Sequence, residues 1–409
     1  MSDRNKTKYV LLVGDGMADY PLDELGGKTP LEIARTPHMD RIAACRVGRV
    51  KTIPEGMEPG SDTANLSLLG YDPQVYHTGR SPLEAASIGV ALEPEDVAFR
   101  LNLVTLDWRS DDDIIMKSHS SGDISTGEAV EIIETLKQDL ETPEITLYPG
   151  VAYRHLLVWD NGPEDALTIP PHDVLDQNMS QYLKNPLDDP IPDLIQRSWE
   201  LLTDHPVNRR RRKQGLHEAN SIWLWGQGKA PKMPPFEEKF GLTGSVVCAV
   251  DLIKGIGTYA GFNPITVEGA TGYLDTNYKG KAEAALGALE TRDFVLLHVE
   301  APDEASHHGN SKEKIQAIEA FDKQVVGIVL KGLAHYGTYR IMVVSDHYTP
   351  IIEKTHTVDP PPFAWAKKEE LEATPPSTSE SPFTEASALK SGLYFENGHE
   401  LMPSFLSGD

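Results

Sequence analysis

Three apolar segments of this 409-residue chain end in side chains that can bind a metal ion. They are residues 9–13, 294–299 and 341–344, and short apolar runs of this kind are typical of buried parallel strands. The acidic and histidine side chains that follow them are Asp15, Asp303, His307, Asp346, His347 and His356. Because open α/β sheets bind ligands at the carboxyl ends of their strands, we expect these side chains to meet at one edge of a sheet.

The mixture of carboxylates and imidazoles indicates the class of metal ion. Asp and His together favour Mn²⁺, Zn²⁺ or a similar cation, whereas oxygen ligands alone would favour Mg²⁺ or Ca²⁺. One cation takes roughly four to six ligands, so this set is too large for one open catalytic ion and suits two. Two ions about 4 Å apart are the usual arrangement for displacement at phosphorus. We interpret the remaining histidines of this region, His298 and His308, as a strand histidine and a solvated neighbour.

An aspartate that follows a strand is, taken alone, more often a helix cap or a turn residue. That explanation would have to hold independently on three strands, so the joint occurrence favours the metal site.

Ser61 is the candidate nucleophile. It lies in Pro59-Gly-Ser-Asp-Thr, where a turn-rich loop gives way to a predicted helix that begins at Ser61 or Asp62. Serine is favoured at a helix N-terminus for structural reasons alone. However, a helix N-terminus also presents N–H groups to a phosphate, and a hydroxyl beside a divalent cation loses its proton more readily. Next to the candidate metal ligands, we therefore predict that Ser61 attacks phosphorus.

Composition limits the partners. The formal net charge is −24, from 38 basic and 62 acidic residues, whereas nucleic acid binding needs a broad basic face. No apolar run approaches the roughly 20 residues of a membrane span, and the N-terminus shows no signal-peptide pattern. Two cysteines cannot form a disulfide framework, which favours a reducing compartment. We expect a cytoplasmic enzyme with a small anionic substrate, and the oligomeric state stays open.

The order of the elements predicts an α/β fold with a doubly wound, mostly parallel sheet and an inserted smaller α+β domain. Alternating strands at 97–106 and 152–159, with a helix at 126–141 between them, predict the inserted domain. The predicted division is residues 1–97 for the first part of the metal-binding core, 98–218 for the inserted substrate or lid domain, and 219–409 for the second part of the core. Within the core we predict a helix over 31–44, a strand that begins at 221, a long helix over 311–334 and a surface loop over 367–388.

Basic residues of the inserted domain are candidates for binding an anionic substrate, because arginine pairs with carboxylate and phosphate oxygens. The run from Arg209 to Lys213 is explained equally well as a solvated helix face. The candidates are Arg100, Arg154, His155, Arg209 and Arg210.

Several motifs resemble those of the archaeal-type, 2,3-bisphosphoglycerate-independent phosphoglycerate mutases of the alkaline phosphatase superfamily. The resemblance covers nearly the whole chain. One phrase, Ile222-Trp-Leu-Trp-Gly-Gln-Gly, is closer to a bacterial branch that has been proposed to include homoserine kinases. The chain departs from the family pattern at His38, Leu101 and residues 116–122, none of which is a candidate metal ligand. The matching motifs include Gly14-Asp-Gly-Met, Pro59-Gly-Ser-Asp-Thr-Ala-Asn, Gly269-Ala-Thr-Gly-Tyr, Asp303-Glu-Ala-Ser-His and Asp346-His-Tyr-Thr-Pro.

The resemblance implies an alkaline-phosphatase-like core and two divalent ions, Mn²⁺ first with Zn²⁺, Mg²⁺ or Co²⁺ as alternatives, and no 2,3-bisphosphoglycerate. It implies interconversion of 3-phosphoglycerate and 2-phosphoglycerate through phosphorylated Ser61. Phosphoryl transfer to homoserine, or hydrolysis, is the alternative on the same site. A catalytically silent binding protein would be expected to lack a ligand or the nucleophile, and none is missing. The implied ligands are Asp303, His307 and His356 for one ion, and Asp15, Ser61, Asp346 and His347 for the other.

Overall fold

The chain forms two compact units. The computed structural model describes residues 6–184, 190–374 and 382–408. We call Met1–His77 together with Lys232–Asp409 the core unit, and Thr78–Pro231 the inserted unit.

Within the described residues, strands and helices are numbered in chain order. The strands are β1 (Lys8–Gly14), β2 (Val47–Val50), β3 (Asp96–Ser110), β4 (Asp113–Ser118), β5 (Ile145–Val151), β6 (Arg154–Asp160), β7 (Ser221–Lys229), β8 (Gly244–Val247), β9 (Asn263–Ile265), β10 (Phe294–Val299), β11 (Tyr339–Val344), β12 (Pro362–Lys367) and β13 (Tyr394–Phe395). The α-helices are α1 (Pro30–Ile33), α2 (Pro37–Ala43), α3 (Ser61–Leu68), α4 (Pro73–Tyr76), α5 (Arg80–Ser87), α6 (Thr126–Leu140), α7 (Ser180–Leu183), α8 (Pro190–Leu202), α9 (Pro206–Lys213), α10 (Phe236–Phe240), α11 (Asp251–Tyr259), α12 (Tyr278–Ala288), α13 (Ala301–His307), α14 (Ser311–Phe321), α15 (Gly327–Leu333), α16 (Lys368–Ala373), α17 (Glu385–Ser391) and α18 (Leu401–Ser407). Short 3₁₀ turns lie at Asp23–Leu25 and Gly398–Glu400, and a π turn lies at Asp322–Val326. None of these helices is long and apolar enough to cross a membrane.

The core unit is built on an eight-stranded sheet in the order β13-β2-β12-β11-β1-β10-β8-β9. The strands from β11 to β9 in this order are parallel, and β12 runs antiparallel to both of its neighbours. Val13 of β1 pairs with His298 of β10 and with Val344 of β11, so these three strands end at the same level. The predicted α/β class with a mostly parallel sheet is confirmed.

Both faces of this sheet are covered, which explains why its central strands are almost entirely apolar, with His298 near the end of β10 as an exception. Val10 and Leu12 of β1 pack in one cluster with Ile318 and Phe321 of α14, while Leu11, on the opposite face, is also fully buried. Polar side chains are therefore left for the loops at the strand ends.

The inserted unit contains a five-stranded sheet in the order β4-β3-β6-β5, with β7 also paired to β3. Its pairings are antiparallel, and α6 packs against β5 while α8 packs against β7. The prediction of a core strand beginning at residue 221 is therefore wrong, because this segment is β7. Its residues from Ser221 to Trp225 are all buried, so its composition resembles that of a central parallel strand.

The inserted unit extends beyond the predicted segment 98–218 at both ends. Arg80–Ser87 forms α5, which packs against β3 and β7. The strand β7 carries the other end to residue 229. Neither extension contains a composition break that would mark it in the sequence.

Two predicted helices are interrupted. The segment 31–44 is not one helix but α1 and α2, because Pro37 has no N–H to donate and disfavours helical backbone at Thr36, where φ is −126° and ψ is 53°. The segment predicted as one helix over 311–334 is helical from 311 to 333, and the π turn divides it into α14 and α15.

The prediction of a surface loop over residues 367–388 is wrong for the described part of that segment. Lys368–Ala373 forms α16, which is rich in helix-favouring Glu, Leu and Ala, and its Leu371 is buried. Phe383 is fully buried just before α17 begins. Residues 375–381 lie outside the described part of the chain.

Candidate metal centre and nucleophile

Four side chains near the carboxyl ends of β1 and β11 meet in a cluster that we call the inner group: Asp15, Ser61, Asp346 and His347. The Nε2 atom of His347 lies 3.3 Å from Oδ1 of Asp15 and 3.6 Å from Oδ2 of Asp346. The Ser61 hydroxyl is 3.1 Å from Nε2 of His347 and donates to Oδ2 of Asp15 at 3.4 Å. At most 1% of the side chain of Asp15, Asp346 or His347 is exposed, so this cluster is shielded from water.

Three further side chains form what we call the outer group: Asp303, His307 and His356. Asp303 and His307 are four residues apart on α13 and therefore share a helix face. Oδ2 of Asp303 lies 3.1 Å from Nε2 of His307, and Oδ1 lies 3.4 Å from Nε2 of His356. The exposed fraction is 33% for His307 and 23% for His356, so the outer group is more open than the inner group. The two groups adjoin, because His347 also groups with Asp303 and His356.

Hydrogen bonds fix the position of the ring protons in both groups. Nδ1 of His307 is 2.9 Å from the carbonyl oxygen of Lys354, which can only accept, so Nδ1 carries the proton. Nδ1 of His347 is 3.1 Å from the hydroxyl of Thr349, which itself donates to Asp303 at 2.6 Å, so Nδ1 of His347 also carries a proton. In the neutral rings both Nε2 lone pairs therefore face carboxylate oxygens. Such an arrangement suits a cation between them, as in metal-binding histidines whose other nitrogen is held by a hydrogen bond.

The charges of the inner group are not balanced by its own side chains. Burial, followed by the negative charges of Asp346 and Asp303, raises the pKa of Asp15 well above its ordinary value. Burial lowers the pKa of His347, so this ring supplies no positive charge. Oδ1 of Asp15 is buried and has no hydrogen-bond partner among the described residues. Bound cations would remove this repulsion, so the residues present fit a metal centre of the Asp/His type.

Ser61 is held where a helix begins beside the inner group. It is the first residue of α3 and follows Gly60, whose backbone is extended. One turn later, the side-chain amide of Asn65 donates to the carbonyl oxygen of Ser61 at 2.8 Å and to Oδ2 of Asp346 at 3.0 Å. Because Ser61 begins α3, the positive end of the helix dipole lies beside it, where it favours an anionic group.

Comparison with known proteins gives the family. Residues 43–208 match the model of 2,3-bisphosphoglycerate-independent phosphoglycerate mutase, and residues 171–372 match that of type I phosphodiesterase / nucleotide pyrophosphatase. A probable 2,3-bisphosphoglycerate-independent phosphoglycerate mutase of Geobacter sulfurreducens is 52% identical over 98% of this chain and 99% of its own. The chain belongs to the 2,3-bisphosphoglycerate-independent phosphoglycerate mutases. A family member from Methanosarcina barkeri is 50% identical over 97% of this chain and 98% of its own.

Solved structures extend the likeness to the fold of this mutase family. A protein from Pyrococcus horikoshii has a TM-score of 0.80 at 31% identity, with 98% of this chain and 97% of that chain covered. A cofactor-independent phosphoglycerate mutase from Thermoplasma acidophilum has a TM-score of 0.64 at 25% identity, with 98% and 99% covered.

The inserted unit of this family member places two predicted substrate residues on neighbouring strands. Arg100 lies on β3 and Arg154 on the neighbouring β6; burial lowers the pKa of Arg100, Glu84 opposes this shift, and the positive charges of Arg80 and Arg154 add to it. The Arg100 guanidinium lies 4.2 Å from the ring centre of Trp225 and 3.2 Å from a carboxylate oxygen of Glu84. This arginine group is the candidate anion site within the inserted unit.

His155, Arg209 and Arg210 have other surroundings. His155 is buried, its Nδ1 accepts the N–H of Gly150 at 2.9 Å, and burial lowers its pKa to about 4. Arg210 donates to both carboxylate oxygens of Glu131 at 2.9 Å, and Arg209 is exposed on α9. These contacts do not mark the three residues as substrate ligands, and their role in binding stays a prediction.

Sequence reasoning missed three side chains of the core unit. His298, interpreted as an ordinary strand histidine, is fully buried with Nε2 at 3.1 Å from Oδ2 of Asp15, and it groups with Asp15 and Asp346 as metal-binding atoms. Its position near the end of a predicted central strand could have indicated a metal-binding role. Asn65 and Thr349 lie within the quoted motifs, but their residue types did not mark them, because their carboxylate partners come from distant segments. His308 is exposed, as predicted.

Proposed function

We propose that the chain interconverts 3-phosphoglycerate and 2-phosphoglycerate by phosphoryl transfer through Ser61, without 2,3-bisphosphoglycerate. The position of the Ser61 hydroxyl carries this proposal, since it lies 3.1 Å from Nε2 of His347 and 3.4 Å from Oδ2 of Asp15. Relatives of about half identity are named as phosphoglycerate mutases, which supports an isomerase over a kinase that acts on homoserine.

The proposed metal centre holds two divalent ions. When bound, the ions lower the pKa of the Ser61 hydroxyl and neutralise charge on the phosphoryl oxygens. Mn²⁺ is the proposed metal because of the mixed carboxylate and imidazole donors, with Zn²⁺, Mg²⁺ and Co²⁺ as alternatives. Asp303, His307 and His356 would hold one ion, and Asp15, Ser61, Asp346 and His347 would hold the other.

The chemistry of the chain itself is a transfer in two halves. The deprotonated Ser61 oxygen attacks phosphorus, and the bond from phosphorus to the 3-oxygen of the glycerate breaks as the new bond to Ser61 forms. The released 3-oxygen takes up a proton. The retained glycerate then presents its 2-hydroxyl, which loses a proton and attacks the phosphoserine, so that 2-phosphoglycerate forms and the Ser61 oxygen is regenerated.

The anionic substrate also needs fixed positive charge, because the chain as a whole is strongly acidic. Arg100 and Arg154 are the proposed substrate contacts, supported by their place on neighbouring strands and by the proximity of their positive charges to each other and to Arg80. His155, Arg209 and Arg210 are also proposed as substrate contacts. A cytoplasmic location also belongs to the proposal, supported by the free thiols of Cys45 and Cys248.

A coupled assay tests the proposed reaction. The full chain, loaded with Mn²⁺, is given 3-phosphoglycerate with enolase as the coupling enzyme and no 2,3-bisphosphoglycerate, beside a second assay with homoserine and ATP. We expect turnover of 3-phosphoglycerate that disappears on chelation and returns with Mn²⁺. Phosphorylation of homoserine without isomerase activity would contradict the proposal.

A further inference from the structure

One hydroxyl connects the inner and outer groups. Thr349 accepts the Nδ1–H of His347 at 3.1 Å and donates to Oδ1 of Asp303 at 2.6 Å. The direction of these two hydrogen bonds is fixed, because an ionised carboxylate can only accept. His347 belongs to the inner group and Asp303 to the outer group. Since Thr349 is fully buried, water cannot take over the hydroxyl's two hydrogen bonds without repacking.

The surrounding backbone is built around this hydroxyl. Gly16 has a φ of +60°, and a Cβ atom there would lie 2.6 Å from both the Thr349 hydroxyl and Oδ1 of Asp303, so a larger residue would displace the bridge. The carbonyl oxygen of Thr349 accepts from Nζ of the buried Lys314 at 3.0 Å, and its N–H donates to Ala18 at 3.3 Å. Thr349 is thus fixed on its backbone side, which leaves its hydroxyl aimed at the two ligands.

We propose that Thr349 is a positioning residue that sets both metal sites at once, an inference that rests on the proposed function. Its O–H orients the carboxylate of Asp303. Its lone pair keeps the proton of His347 on Nδ1, which leaves Nε2 to bind the ion of the inner group. Partners of this kind, which contact ligands but not the metal, typically change metal affinity about 10–100-fold. Because a single hydroxyl contacts ligands of both groups, its loss lowers the affinity for both ions.

Thr349→Val tests this role, because valine keeps the shape of the side chain and removes the hydroxyl. The metal-free full chain is titrated with Mn²⁺ by calorimetry, and electron paramagnetic resonance distinguishes a single Mn²⁺ from a spin-coupled pair. We expect both dissociation constants to rise by about 10–100-fold in Thr349→Val. The Thr349→Ser variant restores the hydroxyl and should return both constants close to those of the unaltered chain.

Thr36→Val is the matched control. Thr36 is also buried and donates to a carboxylate, Asp40, at 3.2 Å, but neither residue belongs to the inner or outer group. Equal loss of Mn²⁺ in Thr36→Val, or weakening of only one ion in Thr349→Val, would overturn the positioning role. Unchanged affinities in Thr349→Val would overturn it too, while the proposed function stands. An unaltered chain that binds no pair of Mn²⁺ ions would instead contradict the proposed metal centre.

Discussion

Buried carboxylates in adjoining loops of the core unit differ in how their negative charge is balanced. We call Asp19 the first set, and Asp15 with Asp346 the second set. Asp19 has no exposed side-chain surface and pairs with the equally buried Lys314 at 2.8 Å. Asp15 and Asp346 are buried to the same degree, yet within the described residues their ion-pair partners are histidines. The chain itself completes the first set. The second set lacks such a partner, and the proposed metal ions would balance its charge from outside the chain.

The largest effect is expected where the charge of the second set is removed. Asp346 accepts from the N–H groups of Gly16 and His347, and Asp346→Asn keeps its size but removes the negative charge. We expect isomerase activity to fall on the order of 10⁴-fold or more, with loss of the ion of the inner group. The coupled enolase assay and metal analysis measure both.

The control for this substitution is Asp293→Asn. Asp293 is a buried carboxylate that precedes β10, at the end of the strand away from the metal centre, where it accepts from Thr243. This variant should keep both ions. Two tightly bound ions and normal turnover in Asp346→Asn would mean that the inner group does not depend on this charge.

Removing the ion-pair partner of Asp19 should lower the free energy of unfolding. Lys314→Met leaves Asp19 buried without its cation, which typically destabilises a protein by about 3–5 kcal/mol. Urea unfolding gives the free energy of unfolding for this variant and for Lys312→Met, an exposed position on the same helix. Lys312→Met should stay within about 0.5 kcal/mol of the unaltered chain. If Lys314→Met were equally stable, Asp19 would not require its lysine.

Removing a ligand from the outer group should have a smaller and partly reversible effect on turnover. His307→Ala removes a proposed ligand that is 33% exposed, so water can reach the vacated position. Loss of a ligand should exceed the 10–100-fold cost of losing an outer partner, so we expect the ion of the outer group to bind at least about 100-fold more weakly. Excess Mn²⁺ should restore part of the turnover. The neighbouring exposed histidine supplies the control, and His308→Ala should bind and turn over normally. Equal losses in the two variants would remove His307 from the metal centre.

Asp322 is a third case, a buried carboxylate whose partners are backbone N–H groups. It accepts from His38 at 3.1 Å and from Met39 at 2.7 Å, and burial is the main cause that raises its pKa to about 7. Because the pKa in the folded state exceeds the unfolded value, the stability from the protonated form is present at low pH and is lost as pH rises through about 7. Relative to Asp322→Asn, the free energy of unfolding should therefore fall between pH 5 and pH 8 by about 2–3 kcal/mol, because pH 5 lies about two units below the raised pKa and each unit corresponds to about 1.4 kcal/mol. Urea unfolding at both pH values measures it, and parallel behaviour of the two proteins would contradict this account.

Some residues of the metal centre could be predicted from the sequence and others could not. Asp15, Asp303 and Asp346 could be predicted as neighbours because each follows an apolar run, and parallel strands end at one edge. Thr349 and Asn65 could not be predicted, since their carboxylate partners lie 46 and 281 positions away. A hydroxyl or an amide acquires its role only from the groups that the fold places around it.

The same reason explains why some predictions of the fold were wrong. The residues of β7 are as apolar as those of a central parallel strand, because helices cover this antiparallel strand as well. The arginine run could not be assigned either, since the partner of Arg210 is Glu131, 79 positions away. Residue type gave the kind of contact, and only the tertiary structure gave the partner.

The central claim is that Ser61 carries the phosphoryl group between the two hydroxyls of the glycerate. The most direct measurement is mass spectrometry of the Mn²⁺-loaded chain after incubation with 3-phosphoglycerate and acid quenching. We expect phosphate on Ser61 and none on that peptide in Ser61→Ala, which should lose turnover even in excess Mn²⁺. Ser67→Ala, a buried position on the same helix, should retain both phosphate and turnover. Phosphate on another residue, or substantial isomerase activity in Ser61→Ala, would contradict the account.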